Sequence, residues 1–408
     1  MSTPKPPSEK ISTCILIISD THGKLPNPAD HDADTQVPFH EPLPSADVLV
    51  HCGDLTMNGR VEQHEAALQL TKSVDAPVKI VIPGNHDITL DRKYYAKYPT
   101  EHAEEIYSSS VLDDIYRMYT GPEAVAAGIT YLVEGTTQVR LNNGASLTVY
   151  ASAYQPEYFN WAFGYPRSED RYNLPPQRTS TSVPKNPVPD HGEVDVMITH
   201  GPPRGILDLN WNHGKVGENC GCEHLLRAVE RCRPKIHAFG HIHEAWGAVR
   251  KKWDVDAWAA DFDNCAKRMR DLAIMPSAAP LSTGPAPTKS QTSSSSAPAS
   301  KTASPSRRKP LDPFHPLHNP SAYYMYASQA STNIKTAGET LIMPGAYQGA
   351  QVPQMCAMVD ARDLKFGKET LFVNASVLNL KYQARNAPWV VDILLPKAKE
   401  EVGDGRGR

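Results

Sequence analysis

A chain of 408 residues with 42 Lys and Arg against 45 Asp and Glu carries a formal charge of −3, which excludes a strongly basic nucleic-acid face or a polybasic membrane anchor. Its hydrophobic content of 40% supports one large core or two to three average domains, and no run approaches the roughly 18 apolar residues of a membrane-spanning helix. The seven cysteines are odd in number and form no Cys-x-x-Cys pair, which argues against a disulfide framework or a zinc knuckle; a soluble, reduced, cytoplasmic protein is expected.

Residues 1–10 are rich in Pro, Ser and Lys, lack the apolar core of a signal peptide and read as a disordered tail. From Cys14 an apolar run predicts a buried strand that stops at Asp20 and His22. The polar stretch 24–45 reads as a loop. Its Asp30, His31, Asp32 and Asp34 resemble a metal cluster, but no strand holds them and they are expected to be a solvated charge run.

Asp47–Val50 is a second strand, ending at Gly53-Asp54, and Val61, Ala67, Leu68 and Thr71 then repeat at helical spacing. Val78–Ile82 is a third strand. It breaks at Pro83-Gly84 and presents Asn85, His86 and Asp87, completing a β-α-β crossover that implies parallel pairing. Tyr94–Tyr119 reads as an amphipathic helix ended by Pro122. Thr130–Val133, Thr137–Leu141 and Ser146–Tyr150 alternate in period two, and Asn142-Asn143-Gly144 marks a hairpin turn between the last two. The aromatic stretch Tyr154–Arg167 is either a loop covering the core or a substrate wall, and 173–192 is a Pro-rich loop.

A fourth strand from Glu193 ends at His200. A helix Cys222–Cys232 follows, with Cys220 and Cys222 structural at its start, and a fifth strand from Lys235 ends at His241 and His243. After a short strand at Ala248–Trp253, residues 254–274 read as a helix. Residues 276–310 contain one large apolar residue, Leu281, and cannot bury enough surface to offset their ordering entropy, so they read as a disordered spacer or regulated segment. The predicted organisation is a core over 11–253, an insertion over 254–339, returning strands within 340–395 (Met355–Asp360, Thr370–Leu378, Trp389–Leu394) and a tail over 396–408.

Side by side, the five strand ends would converge Asp20, His22, Asp54, Asn85, His86, His200, His241 and His243. Carboxylate, carboxamide and neutral imidazole suit Mn²⁺, Fe²⁺, Zn²⁺ or Co²⁺. Seven ligand side chains are too many for one ion and suit two ions about 3.5–4 Å apart that share a carboxylate.

In order, Asp20-Thr21-His22, Gly53-Asp54, Gly84-Asn85-His86-Asp87, Thr199-His200 and Gly240-His241-Ile242-His243 resemble the five motifs of the calcineurin-like metallophosphoesterase superfamily. The wording His51-Cys52-Gly53-Asp54, His200-Gly201-Pro202-Pro203, His243-Glu244 and Val373-Asn374-Ala375-Ser376 is similar to its subfamily of metallophosphoesterase-domain-containing proteins of vertebrate brain and fungi. The resemblance implies an α/β fold, a four-layer α-β-β-α sandwich of two facing mixed sheets flanked by helices. It implies Asp20, His22 and His243 on one metal, Asn85, His200 and His241 on a second, and Asp54 bridging both. It further implies a hydroxide generated between the metals for in-line attack on phosphorus, and His86 as proton donor to, or stabiliser of, the leaving oxygen.

The expected function is therefore a dinuclear, manganese-first phosphoesterase acting on small phosphodiesters such as cyclic nucleotides, with no nucleic-acid polymer or membrane as partner. Phosphomonoesters, or a metal-binding scaffold with little catalysis, are the alternatives. Leu55-Thr56 after Gly-Asp departs from the Asp-Arg-Gly of protein Ser/Thr phosphatases, and Met57 stands where purple acid phosphatases carry Tyr. Asp87 is expected to orient its loop, Arg204 to contact a phosphate or lie solvated, and Asn374 to return beside the site. His51, His64, His102, His213 and His237 are expected to be ordinary structural or surface histidines.

Overall fold

The computed structural model describes residues 9–28, 38–175, 183–212, 215–253, 339–342 and 356–399. The acidic run at Asp30–Asp34, His213, the expected helix 254–274, the stretch 276–310 and most of both tails lie outside the described residues.

Side-chain alternation along β1 (Lys10–Ile18) explains the layering. Ile15 and Ile17 enter one core, Leu16 and Ile18 another, and all four are fully buried. A strand apolar on both faces needs a layer on each side. In β2 (Val48–His51), Val48 and Val50 likewise face one core and Leu49 the other. The chain crosses through α1 (Val61–Ser73) to β3 (Val78–Val81), which pairs parallel with β2 as expected. After α2 (Arg92–Lys97), α3 (Ser109–Thr120) and α4 (Pro122–Ala126), β4 (Ile129–Tyr131) extends the same sheet, parallel to β3.

The expected hairpin is β5 (Glu134–Arg140) antiparallel to β6 (Ser146–Ser152). The Gly144 N–H closes its turn onto Leu141 O. Two short strands, β7 (Gln155–Pro156) and β8 (Gly164–Tyr165), pair across the aromatic stretch. Then come β9 (Val196–Thr199), the hairpin β10 (Leu209–Asn212) and β11 (Lys215–Asn219), α5 (Glu223–Cys232), β12 (Ile236–Phe239), β13 (Gly247–Lys252), β14 (Glu339–Ile342), β15 (Ala357–Asp360), β16 (Glu369–Asn374) and β17 (Trp389–Pro396).

Two mixed sheets result, in the orders β15-β17-β1-β2-β3-β4 and β14-β13-β16-β12-β9-β6-β5. Ile17, Val50 and Ile80 of the first meet Val149, Ile198, Ala238 and Val373 of the second in the core between them. Leu70 of α1 covers Leu16 and Leu49, and Leu112 and Ile115 of α3 cover Val81, on the outer face of the first sheet. On the outer face of the second, Leu225 and Val229 of α5 pack with Met197, Phe239 and Phe372. This is the expected four-layer α-β-β-α sandwich.

Local expectations fail where proline chemistry intervenes. Tyr94–Tyr119 is not one helix but α2 and α3 with a break between them. Pro99 disfavours helical geometry at Tyr98, whose φ is −133°. Pro122 does not merely end a helix; it opens α4 from the first helical position, where its missing N–H costs nothing. Cys222 is structural as expected, its Sγ capping α5 by accepting from the Leu225 N–H at 3.3 Å.

Candidate metal centre

The carboxyl ends of β1, β2 and β3 meet those of β9 and β12, and each is followed by a donor residue. Asp20, His22, Asp54 and His241 all adopt positive φ, between 49° and 68°, a region that costs non-glycine residues energy and marks backbone held for a purpose. Backbone bonds lock these turns together: Asp20 N–H donates to Gly53 O at 2.9 Å, His22 N–H to Asp54 O at 3.0 Å and Gly240 N–H to His200 O at 3.0 Å. Glycines permit the close approach. A Cβ on Gly84 would collide with Asp54 and the His200 ring, and one on Gly240 with Ser19 and the Asp20 carboxylate.

The donors fall into two groups. Asp20, His22, Asp54 and His243 offer ligand atoms within 4.8 Å of one another, and Asp54, His200 and His241 do the same. Asp54 belongs to both. His22 Nε2 lies 3.6 Å from Asp54 Oδ2, and His200 Nε2 lies 3.3 Å from Asp54 Oδ1, so the two carboxylate oxygens face different groups. Asn85 Oδ1 adds itself to the second group, 2.8 Å from His200 Nε2.

The donor set fits cations. Backbone carbonyls orient three of the rings: the Nδ1 atoms of His22, His200 and His243 meet Thr56 O at 3.1 Å, Cys52 O at 3.0 Å and Asn379 O at 3.3 Å. Each contact fixes the tautomer that turns the Nε2 lone pair inward. The Nε2 atoms of His22 and His243 then face each other at 3.3 Å, an arrangement that a shared positive charge stabilises. Asp20 and Asp54 are 0% and 2% exposed, and buried carboxylates demand positive partners.

Electrostatics within the chain point the same way. Burial disfavours charge on His200, but the facing Asp54 outweighs it and pushes the imidazole up to about 9. His243 is likewise raised, burial being outweighed by its contact with Asp20. His22 and His241 are both pulled down to about 3, chiefly by burial, and so present neutral rings. Asp54 is held well below the usual carboxylate range: burial opposes this, and His200 and His86 overcome it.

The family model of the calcineurin-like phosphoesterases matches residues 14–245, which contain all of these donors. The chain belongs to that family. It is 31% identical over 250 residues to the human metallophosphoesterase domain-containing protein 1, covering 60% of this chain and 64% of that protein. It is 30% identical over 243 residues to a probable rhamnogalacturonate lyase C of Emericella nidulans, covering 59% of this chain and 18% of that one. The chain therefore spans less than two thirds of either relative.

Around the phosphoesterase cluster, neighbouring residues divide by task. Asp87 accepts from the N–H groups of Gly84 (2.7 Å), Leu55 (3.1 Å) and Thr56 (2.8 Å) and from the Thr56 hydroxyl (2.7 Å), stapling the Asp54 loop to the Asn85 loop. Burial and the nearby Asp54 push its carboxyl up to about 7. His86 is tethered at both ends, its N–H donating to Asp54 Oδ1 at 2.9 Å and its Nδ1 to Met57 O at 2.6 Å. Asn374 is fully buried and donates to Ile242 O at 2.9 Å, bracing the His241–His243 loop. Arg204 faces Glu223 at 3.7 Å on an exposed surface, the solvated alternative.

The aromatic stretch divides into a buried part and an exposed part. Phe163 and Tyr165 are buried, whereas Tyr158 and Phe159 are 52% and 73% exposed, with Tyr158 6.5 Å from His241. Trp161 packs on His86 at 4.0 Å and on His102 at 3.8 Å, so His102 is tied to the site through one ring. Tyr382, at φ 54°, sets its ring 5.2 Å from both His22 and His243. Sequence reading missed it, because its segment of the C-terminal strands carries no motif. His51, His64 and His237 are buried and bonded to Thr21, Tyr119 and Thr199 respectively, as structural histidines.

Proposed function

We propose that the chain is a dinuclear metal-dependent phosphoesterase that hydrolyses small phosphodiesters, cyclic nucleotides among them. The observation that carries this reading is the position of Asp54, whose two oxygens face two separate donor groups. Asp20, His22 and His243 would hold one cation, Asn85, His200 and His241 the other, and Asp54 both. Manganese is the first choice for a set of carboxylate, carboxamide and imidazole donors, with iron, zinc or cobalt next. When bound, two such cations supply an activated water and neutralise charge developing on phosphoryl oxygens.

The chain's own residues supply the rest. His86 Nδ1 is committed to Met57 O, which leaves Nε2 to hold a proton for, or place a dipole on, the leaving oxygen. Burial lowers the His86 pKa against the pull of Asp54, so a proton is held there best when a phosphate anion is present. The exposed rings of Tyr158 and Phe159 meet edge to face and give an apolar rim suited to the base of a diester. The described cysteines are all free thiols, in keeping with a reducing cytoplasmic setting.

The deciding experiment is hydrolysis of bis-(p-nitrophenyl) phosphate and p-nitrophenyl phosphate in Mn²⁺, with Asp54→Asn as control. Diester turnover lost in the control is expected. Preference for the monoester would move the substrate class to phosphomonoesters, and turnover of neither would leave a metal-binding scaffold.

A further inference from the structure

The polypeptide on either side of the metal cluster leads to a recess that the chemistry above does not use. It has a volume of about 430 Å³ and is lined by Lys24, Leu25, Asn27, Gln383, Ala384 and Arg385. Its near rim is close to the cluster along the chain: Lys24 is two residues past His22, and Gln383 directly follows Tyr382, whose ring sits 5.2 Å from His22.

Both walls are fixed at the backbone. On one side Gly23 N–H donates to Leu55 O at 2.6 Å, Lys24 N–H to Thr21 O at 2.8 Å, and the Asn27 side chain to Phe39 O at 3.0 Å. On the other, Ala384 bridges Leu378, and the Asn386 amide donates to Ser376 O at 2.8 Å and Leu378 O at 3.1 Å. Among the described residues neither cationic side chain has a carboxylate partner. Arg60, Arg171, Arg231 and Arg250 each bind carboxylates, but Lys24 and Arg385 meet none among the described residues. Two cations without a described carboxylate partner, on hydrogen-bonded backbone and sharing one recess that adjoins the metal cluster along the chain, form an electrostatic match for an anion.

We propose that Lys24 and Arg385 form a second anion subsite, so that the chain takes phosphoesters bearing a further anionic group, phosphate or carboxylate, some carbons away from the reacting phosphorus. The proposal rests on the phosphoesterase reading for its meaning but not for its test. Calorimetric binding, which needs no turnover, is measured in Mn²⁺ for pentylphosphonate, 5-phosphonopentanoate and pentane-1,5-bisphosphonate.

The wild-type chain is expected to bind at least one of the two probes that bear a second anionic group roughly tenfold more tightly than pentylphosphonate, the scale of one charge-assisted contact open to solvent. In Lys24→Gln/Arg385→Gln that ratio collapses toward one, and in the wild type it shrinks as salt is raised. A preference shared by the carboxylate probe defines a general anion subsite; a preference confined to the bisphosphonate defines a phosphate subsite. Equal binding of all three probes, no binding of any, or a preference that survives the double substitution overturns the proposal. Failure of p-nitrophenyl ester turnover would instead count against the phosphoesterase reading and leave these ratios interpretable.

Discussion

Trp161 packs its indole against the His86 imidazole, with ring centroids 4.0 Å apart and 30° between the planes, while His102 stacks on it at 3.8 Å and 8°. Two rings this close to one indole occupy opposite faces, so Trp161 is the middle of a three-ring stack. With Nδ1 tied to Met57 O, the stack removes the remaining freedom of His86 and aims Nε2.

Trp161→Ala should therefore act through His86. Metal content is expected to stay at the wild-type level while kcat falls about ten- to a hundredfold, the scale of a displaced catalytic group. The loss should be greatest for esters with poor leaving groups, as in His86→Ala. Metal analysis together with kcat across a series of aryl esters checks this. Equal loss for good and poor leaving groups would mean that Trp161 supports the cluster rather than a proton.

Asp54→Asn tests the bridge. Because the two oxygens face different donor groups, removing the charge should weaken both ions at once. His22→Ala should instead reduce mainly the ion held with Asp20 and His243. Metal per chain after dialysis, by mass spectrometry, is the readout. Two retained ions in Asp54→Asn would refute the shared position.

The contrast between Asp54 and Tyr382 explains what could be read ahead of the fold. Asp54 sits on a switch from strand to ligand residue that recurs at five strand ends, and a short apolar run with a sudden stop is a local signal. Tyr382 reaches the site on a turn held by Asn379, whose Oδ1 accepts from the Lys381 and Gln383 N–H groups at 2.9 and 3.0 Å. Nothing local announces that this turn lies beneath His243. The carbonyls of Cys52, Thr56, Met57 and Asn379 were equally hidden, since every residue has one and only tertiary structure selects which histidine it orients. The break at Tyr98, by contrast, has a local cause in Pro99, which disfavours helical geometry at the residue before it.

Gly84 gives a steric prediction. A methyl group there would meet Asp54 and the His200 ring, whereas at Gly205, with φ 81°, it would meet nothing within 4 Å. Gly205→Ala should cost about 1–2 kcal/mol through left-handed backbone strain and leave metal content intact. Gly84→Ala should cost about 1–3 kcal/mol by overpacking and also release metal, because the atoms it displaces are donors. Urea unfolding and metal analysis of the two variants separate these effects. Retention of both ions in Gly84→Ala would show that the loop can yield.

Acid should destabilise the fold through histidines remote from the metals. His64 is fully buried between the Tyr119 hydroxyl at 2.9 Å and the Thr89 hydroxyl at 2.8 Å, and burial pulls its pKa from 6.5 to about 3. Between those two values the unfolded chain binds a proton that the folded chain refuses, so stability rises with pH across that window and is lost as pH falls below about 6.5. Each pH unit is worth about 1.4 kcal/mol from this one group. His64→Gln, which does not titrate, should be less stable than wild type near pH 7. Its deficit should then shrink by about that amount per unit as the pH is lowered toward 4, because only the wild type loses the contribution. Taking the difference between the two proteins cancels the titration of the metal ligands. A deficit that stays constant from pH 7 to 4 in urea unfolding would mean that His64 accepts a proton without leaving its place between Tyr119 and Thr89.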